Sequence, residues 1–241
     1  MAHTIVLPNE FDKNGINFLP PKQNPRGGQS VLLNYTQDGN TNNGPFIMQT
    51  CRVRLPFGVD QSKPQNGEPV KYHISVSLAN DETTNEQLKQ FTSNIRDIDG
   101  LTKKMPQDSD TWFGKKLSEE LVSEFYKSAE KFPKDPKWPS TLKVKLPFDK
   151  KGAPQFVLYD ENKKPINILD SDGNINADAI PKGCEAVCLV QSTGVWFVGK
   201  TQFGVGYKLL QAKIYKSNKL SGYSIVDSEP EDEASEEEDV E

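Results

Sequence analysis

The chain is poor in the residues that build disulfide frameworks and metal sites. Its 241 residues include three cysteines and two histidines. Cys184 and Cys188 lie in an apolar run, which predicts small core residues rather than a disulfide scaffold. The two histidines, His3 and His73, are far apart in the sequence. We therefore expect neither a metal site nor a cofactor.

Long apolar runs are also missing. No stretch approaches the roughly 20 apolar residues that span a bilayer, so we expect no membrane partner. The first residues lack the basic and apolar regions of a secretory signal. We expect a protein that is not secreted and that works in the cytoplasm or the nucleus.

Catalytic motifs are scarce, with one match that we interpret as accidental. Residues 194–201 fit the phosphate-loop pattern G-x-x-x-x-G-K-[ST], with Lys200 at its lysine. The four x residues are Val-Trp-Phe-Val, which favour extended backbone, and the glycines at 204 and 206 are poor helix formers. A nucleotide-hydrolysing enzyme that uses Lys200 stays an alternative, but the sequence favours a protein that is not an enzyme.

The chain does have a strongly acidic end. The ten carboxylates of residues 227–241 are Asp227, Glu229, Glu231, Asp232, Glu233, Glu236, Glu237, Glu238, Asp239 and Glu241. Such a run repels itself and buries no apolar surface, so we expect a disordered acidic tail. Without it, the chain has 29 basic and 24 acidic residues, which points to a polyanionic partner. The alternative is a tail that only makes the protein soluble.

The remaining sequence predicts one mainly β domain, residues 31–226, after an irregular arm at residues 1–30. Alternating apolar residues predict short strands at 31–35, 46–57, 70–78, 142–146, 155–159, 185–191, 195–198 and 207–215. A helical insertion is expected at about residues 83–130. It contains one helix over 85–98 that ends at Gly100, and a second from Ser109 or Asp110 to Phe125. Many short strands around one helical segment favour a small barrel or sandwich.

Two segments alternate basic and apolar residues before a Pro-Phe pair. Arg52 and Arg54 lie in the first, and Lys143 and Lys145 lie in the second. On a strand, this alternation places both cations on one face, roughly 6.5–7 Å apart, which suits a sugar-phosphate backbone. The alternative is a solvated outer face.

Residues 195–216 interleave aromatic residues with lysines and glycines. Unpaired nucleic acid needs flat side chains to stack bases, cations to hold phosphates and small residues for close approach. Trp196 and Phe197 would point to opposite faces of a strand, so only one of them can stack on a base. The predicted binding residues of this region are Trp196, Lys200, Phe203, Tyr207, Lys208, Lys213 and Lys216. Alternation implies that about half of the aromatic residues here face the core instead of a base.

Several short motifs carry a family resemblance. They are Leu33-Asn34-Tyr35, Gly44-Pro45, the block at residues 49–58, Trp112-Phe113-Gly114-Lys115, residues 142–148, Cys188-Leu189-Val190, Val195-Trp196-Phe197 and Phe203-Gly204. Together the motifs resemble the OB-fold single-stranded DNA-binding proteins of nucleocytoplasmic large DNA viruses, which are distantly similar to the phage replication protein of this class.

The resemblance implies a single OB-fold-like β-barrel with single-stranded DNA in a basic groove, which Trp112 and Lys115 would join. It also implies a role in viral DNA replication, repair or recombination in the cytoplasmic or nuclear replication compartment of an infected host cell. The tail would compete with DNA and recruit a DNA polymerase, helicase or primase. The phage relatives end in an aromatic residue, whereas this chain ends Asp239-Val240-Glu241, so the docking role does not carry over directly.

The sequence leaves open whether the protein forms a homodimer and whether it prefers DNA or RNA. It also leaves open a second function class, in which a structural or protein-interaction protein of a virion carries a solubilising tail.

Overall fold

The computed structural model describes residues 5–23, 28–36, 44–62 and 70–216. The predicted acidic tail at residues 227–241 lies outside these ranges, as do residues 217–226 and parts of the N-terminal arm. Within the described ranges, neither helix is long and apolar enough to cross a membrane.

Strands dominate the described part of the chain. The helices there are α1 (Glu86–Asp108), α2 (Glu119–Phe125) and three short 3-10 turns, Pro8–Glu10, Lys13–Gly15 and Ala177–Ala179. The strands are β1 (Ile5–Val6), β2 (Ile16–Phe18), β3 (Lys22–Gln23), β4 (Gln29–Val31), β5 (Leu33–Tyr35), β6 (Gly44–Pro45), β7 (Ile47–Gln49), β8 (Val53–Leu55), β9 (Val59–Ser62), β10 (Lys71–Ser77), β11 (Glu130–Lys131), β12 (Thr141–Leu146), β13 (Val157–Tyr159), β14 (Pro165–Ile166), β15 (Cys184–Val198) and β16 (Gln202–Tyr215).

One large sheet is built on the long hairpin of β15 and β16. The two strands pair from Glu185↔Tyr215 to Val198↔Gln202, with register shifts that bend the hairpin. β4, β7 and β8 pair with the outer edge of β15, and β12 and β13 pair in parallel with β16. β10 lies beyond β12, and β9 lies beyond β10. A second, small sheet has the order β2-β5-β6.

The segment at residues 53–62 connects the two sides of the large sheet. Its first half, β8, pairs with β15, and its second half, β9, pairs with β10. Between them, Gly58 has a positive φ of 65°, and a Cβ there would lie 2.6 Å from the carbonyl oxygen of Ile180. Only glycine fits this sharp bend without strain.

The mainly β class with a helical insertion is confirmed, but the predicted barrel is not closed. In the described ranges, the hydrogen-bonded strands form an open path from β1 to β9. The chain itself brings the sides of this path together at the bend, because residues 53–62 belong to both. The curled sheet therefore encloses a core without a continuous ring of strand pairs.

The first helix begins as predicted and ends ten residues later than predicted. The side chain of Asn85 accepts a hydrogen bond from the backbone N–H of Leu88 and caps the N-terminus. The helix then continues through Gly100, because its buried face packs Phe91 and Ile95 into the core. This burial outweighs the cost of about 1 kcal/mol for a glycine in a helix.

The second helix is shorter than predicted. Ser109 lies at the C-terminal end of α1, where its backbone N–H donates to the carbonyl of Met105, so it does not begin a new helix. Ser118 caps α2 instead, with its hydroxyl accepting from the N–H of Leu121. The predicted start at Ser109 or Asp110 is therefore wrong.

Candidate nucleic-acid interface

A hollow opens beside β16 where its neighbours diverge. Tyr126 forms a bridge to Phe203, and β12 joins β16 further along, at Val144↔Tyr207. Between these points, β16, β12 and residues 127–131 surround a space of about 250 Å³. We call this space the lysine hollow, because its lining contains Lys127, Lys131, Lys143 and Lys145.

The lysines of β12 face the hollow because the strand alternates. Lys143 and Lys145 are exposed, whereas Leu142, Val144 and Leu146 are buried in the core. β11 pairs with β12 in the register Lys131↔Thr141, which brings Lys131 to the same region of the surface. Local alternation and one strand pairing thus gather cations that are distant in the sequence.

The charges in the hollow repel one another. Although Lys145 is exposed as a residue, the walls of the hollow partly desolvate its ammonium and lower its pKa, and the charges of Lys71 and Lys143 lower it further. Burial also lowers the pKa of Lys131. The charge of Asp99 partly opposes this shift, and the charge of Lys143 adds to it. Within the described ranges, no carboxylate forms an ion pair with Lys131, Lys143 or Lys145. Such a cluster attracts an anionic ligand.

Trp196 lies in the lining of the hollow and is half-buried. A Cβ on Gly204 would lie 2.9 Å from the indole, and one on Gly206 would lie 3.6 Å from it. The two glycines therefore let the ring rest against β16. Phe197, the next residue, belongs to the opposite side, where its ring centre is 5.7 Å from that of Trp112.

A buried carboxylate positions the wall of the hollow opposite β12. Asp99 of α1 accepts hydrogen bonds from the hydroxyls of Tyr126 and Ser128 and from the backbone N–H of Ala129. The backbone N–H of Lys127 also donates to the carbonyl of Phe203, over 2.8 Å. These bonds fix residues 126–129, so Lys127 projects from a rigid backbone.

Three of the predicted stacking residues are buried. Trp112 is 5% exposed, Phe203 is 0% exposed and Tyr207 is 1% exposed. Trp112 and Phe203 pack edge to face with ring centres 6.3 Å apart. Phe203 and Tyr207 lie on β16 with their side chains in the core, and Trp112 packs against that core from the turn between α1 and α2. The prediction that these three rings stack on bases is therefore wrong.

Arg52 does not share the lysine hollow with Lys143. Its guanidinium forms an ion pair of 2.6 Å with Glu185 and lies 4.1 Å from the ring centre of Tyr215. Lys213 lies 5.2 Å from the centre of the same ring. This group is at the end of the β15–β16 hairpin opposite to Trp196, as the strand register shows.

The remaining predicted cations are spread over the surface. Lys208 is half-buried and is the register neighbour of Lys145, so it belongs beside the hollow. Lys115 is exposed between α1 and α2, and Lys216 is exposed at the end of the described chain. Arg54 is exposed on β8 and lines a different groove. The predicted tail residues lie outside the described ranges.

Lys200 is exposed in the turn between β15 and β16. Residues 194–198, which precede it, are paired with β16 as extended strand. Their backbone N–H groups therefore cannot curl around a phosphate, and β16 follows where a nucleotide-binding loop needs a helix. The geometry agrees with the interpretation of this match as accidental.

A second groove adjoins the lysine hollow. Its volume is about 690 Å³, and Lys131 lines both spaces. It lies between the end of β8, the end of β10 and the loop that joins β11 to β12. We call it the aromatic groove, because its lining includes Phe57, Phe132 and Trp138.

The sequence patterns did not predict a binding role for Lys127, Lys131 or the aromatic groove. Residues 131–140, KFPKDPKWPS, contain three prolines, which on their own indicate only a break between regular elements. The same stretch interleaves two aromatic residues with three lysines, which is the pattern that singled out residues 195–216. That signal could have identified the loop.

In the described part of the chain, no three His, Cys, Asp or Glu side chains are close enough together to hold a metal ion.

The fold and the hollow define a mainly β protein with a basic surface cleft suited to an anionic ligand. Residues 74–227 match the model of a family described as "Family of unknown function (DUF5871)", and the chain belongs to this family. All four lysines of the hollow lie in the matched range.

One curated relative is an uncharacterized protein of Acanthamoeba polyphaga mimivirus. It is 25% identical over 172 residues, which cover 71% of this chain and 26% of the relative. The chain thus spans about a quarter of the length of this relative.

Solved structures of phage proteins are similar to this one. Gp2.5, a single-stranded DNA-binding protein encoded by bacteriophage T7, is 12% identical, with 82% of this chain and 100% of that chain covered and a TM-score of 0.45. The single-stranded DNA-binding protein of bacteriophage Enc34, solved in complex with single-stranded DNA, is 15% identical, with 85% and 98% covered and a TM-score of 0.44.

Proposed function

We propose that the chain binds single-stranded DNA independently of base sequence, and that the lysine hollow holds its phosphates. The observation that best supports this is that Lys131, Lys143 and Lys145 lie together in the hollow, beside the half-buried Trp196. None of these lysines forms an ion pair with a carboxylate of the described ranges. The similar phage proteins are single-stranded DNA-binding proteins by name. The proposal rests on the residues of this chain.

The geometry matches the needs of an unpaired strand. Lys143 and Lys145 alternate along β12, so their Cα atoms are roughly 6.5–7 Å apart, which is close to the repeat of the phosphates. Lys131 contacts the strand from the other wall. Trp196 offers a flat ring for a base. Cations and ring faces contact phosphates and π-faces, which all four bases share, so binding is tolerant of sequence.

The biological setting is part of the proposal. We place the protein in the replication, repair or recombination of viral DNA, in the cytoplasmic or nuclear replication compartment of an infected cell. The acidic tail at residues 227–241 competes with DNA for the lysines, since its ten carboxylates carry the charge of a short strand. It also offers a surface for a DNA polymerase, helicase or primase, and a homodimer is compatible with these roles.

A double substitution of Lys143→Ala and Lys145→Ala tests the site. Fluorescence anisotropy with a labelled oligothymidylate of about 20 nucleotides measures the dissociation constant at several salt concentrations. We expect weaker binding and a log–log salt slope that is smaller by about 1.4, since each phosphate contact on a single strand contributes about 0.7.

The matched control is the double variant Lys150→Ala and Lys151→Ala, which removes the same charge from an exposed turn. Its slope should stay close to that of the wild type. Wild-type protein that binds no oligonucleotide at low salt would overturn the proposed function. Equal slopes for the two double variants would show that the lysine hollow is not the site.

A further inference from the structure

The three exposed aromatic rings of the described chain lie in one groove. Phe57 is 53% exposed, Phe132 is 72% exposed and Trp138 is 60% exposed, and all three line the aromatic groove. The other large apolar side chains that are exposed in the described ranges are aliphatic: Ile5, Leu32, Val70, Val157 and Val198. Exposed rings gathered at one place indicate a binding surface.

The loop that carries two of these rings is stiff. Prolines at 133, 136 and 139 fix three backbone φ angles between β11 and β12. Within the loop, Asp135 accepts two hydrogen bonds of 3.2 Å. Its backbone carbonyl accepts from the N–H of Trp138, and its carboxylate accepts from the backbone N–H of Lys137. The backbone that carries the rings is therefore restricted before a ligand arrives, which lowers the entropic cost of binding.

The charge of the groove favours an anionic ligand. Arg54, Lys131 and Lys137 line it, against one carboxylate, that of Glu82. Lys137 is already engaged, since its ammonium forms an ion pair of 2.8 Å with Asp135 and lies 5.8 Å from the ring centre of Trp138. Arg54 and Lys131 remain to hold phosphates, since in the described ranges the ammonium of Lys131 makes only a neutral hydrogen bond, to the carbonyl of Ser128.

The aromatic groove continues the path of the lysine hollow, because Lys131 belongs to both linings. We propose that a single DNA strand runs from the lysine hollow across Lys131 into the aromatic groove, where Phe132 and Trp138 stack on unpaired bases and Arg54 contacts the backbone. This inference rests on the proposed function. It names a base-stacking site separate from Trp196.

The test is the double variant Phe132→Ala and Trp138→Ala, measured by anisotropy with the same oligothymidylate. We expect the affinity to fall by about tenfold for each ring removed, roughly a hundredfold in total. The salt slope should not change, because no phosphate contact is lost. Since both side chains project into solvent, the melting temperature should stay near that of the wild type.

Two controls separate stacking from other effects. The variant Phe132→Tyr with Trp138→Phe keeps both rings and should bind as tightly as the wild type within about threefold. The variant Leu32→Ala with Val157→Ala removes exposed apolar side chains outside the groove and should also bind like the wild type.

An abasic strand of the same length gives a second measurement. It has phosphates but no bases, so the wild type and the Phe132→Ala/Trp138→Ala variant should bind it equally. The inference would be overturned if the Phe132→Ala/Trp138→Ala variant bound oligothymidylate as tightly as the wild type while the Lys143→Ala/Lys145→Ala variant bound it more weakly. That result would leave the proposed function unaffected. The groove would then be a contact for a protein. If the wild-type protein bound neither the oligothymidylate nor the abasic strand, both the inference and the proposed function would be overturned.

Discussion

Trp196 can lie against the sheet because the neighbouring strand has no side chains beneath it. Gly204 and Gly206 face the indole, and Gly204 also lies under the carbonyl of Lys127. A Cβ on Gly204 would come within 2.4 Å of that backbone oxygen. This glycine is therefore needed for close packing rather than for an unusual φ angle.

We predict that Gly204→Ala lowers the free energy of unfolding by about 1–3 kcal/mol, because a backbone segment has to move to accept the methyl group. Denaturation with urea, followed by circular dichroism, measures the change. The displacement of Lys127 should also weaken binding to single-stranded DNA.

The control for this prediction is another glycine. Gly100 lies inside α1 and is exposed, with nothing within 4 Å of an added Cβ. Gly100→Ala should therefore raise the free energy of unfolding by about 0.5–1 kcal/mol. A Gly204→Ala variant as stable as the wild type would contradict the packing described for Trp196.

Individual strand residues were predictable from alternation. On β12, Leu142 and Val144 are buried, so the alternating residues Lys143 and Lys145 are exposed on the other face. Alternation also requires Trp196 and Phe197 to separate, but it cannot tell which ring faces outward. That choice depends on Gly204, which lies opposite on a different strand.

At the scale of elements, the two-residue strand β11 depends on an ion pair beneath it. Arg96 of α1 donates two hydrogen bonds of 2.9 Å to the carboxylate of Glu130, which is 5% exposed. Ser140 donates to the same carboxylate. The pair therefore links α1, β11 and the start of β12, and it holds Lys131 at the hollow.

We predict that Arg96→Ala lowers the free energy of unfolding by roughly 2–3 kcal/mol, because it leaves a buried carboxylate without its partner. This is below the full cost of a broken buried pair, since water reaches the arginine. Urea denaturation at neutral pH measures the loss. As a control, Lys89→Ala removes an exposed pair with Glu86 and should cost less than about 0.5 kcal/mol.

The same carboxylate predicts a pH dependence. Burial opposes ionisation of Glu130, but the hydrogen bonds from Arg96 and Ser140 outweigh it and lower the pKa below the ordinary 4.5. The pair therefore stabilises the fold above pH 4.5, and this contribution is lost as the pH falls through the lowered pKa. In urea titrations from about pH 6 to pH 3, Glu130→Gln should lose less stability than the wild type. Equal losses would contradict the assignment.

Elements with strict alternation were predictable, and those that depend on tertiary contacts were not. The strands at residues 70–78 and 142–146 correspond closely to β10 and β12. The continuation of α1 beyond Gly100 depends on the buried face of the helix and on Asp99, whose partners Tyr126 and Ser128 lie in another segment. No local pattern contains that information.

At the scale of the whole molecule, the opposing charges lie in different parts of the chain. The lysine hollow belongs to the folded body, and ten carboxylates lie in residues 227–241. The sequence predicted a basic body and an acidic tail from composition alone. It could not predict which cations converge, because Lys131 and Lys143 meet only through the pairing of β11 with β12.

Deletion of residues 227–241 tests the proposed competition. We expect the shortened protein to bind oligothymidylate more tightly at low salt and with a steeper salt dependence, because a tethered anion no longer occupies the lysines. Anisotropy titrations of the full and shortened chains measure both quantities. A control chain with the ten acids replaced by Gln and Asn should match the deletion. Unchanged affinity would exclude competition by the tail.

The position of Trp138 has a practical consequence for spectroscopy. The chain has three tryptophans, of which Trp112 is 5% exposed, Trp196 is half-buried and Trp138 is 60% exposed. An indole in water emits at longer wavelength than one in the core, so the red edge of the fluorescence spectrum belongs mainly to Trp138. The protein therefore contains its own optical reporter in the groove, and unlabelled ligands can be screened by its quenching.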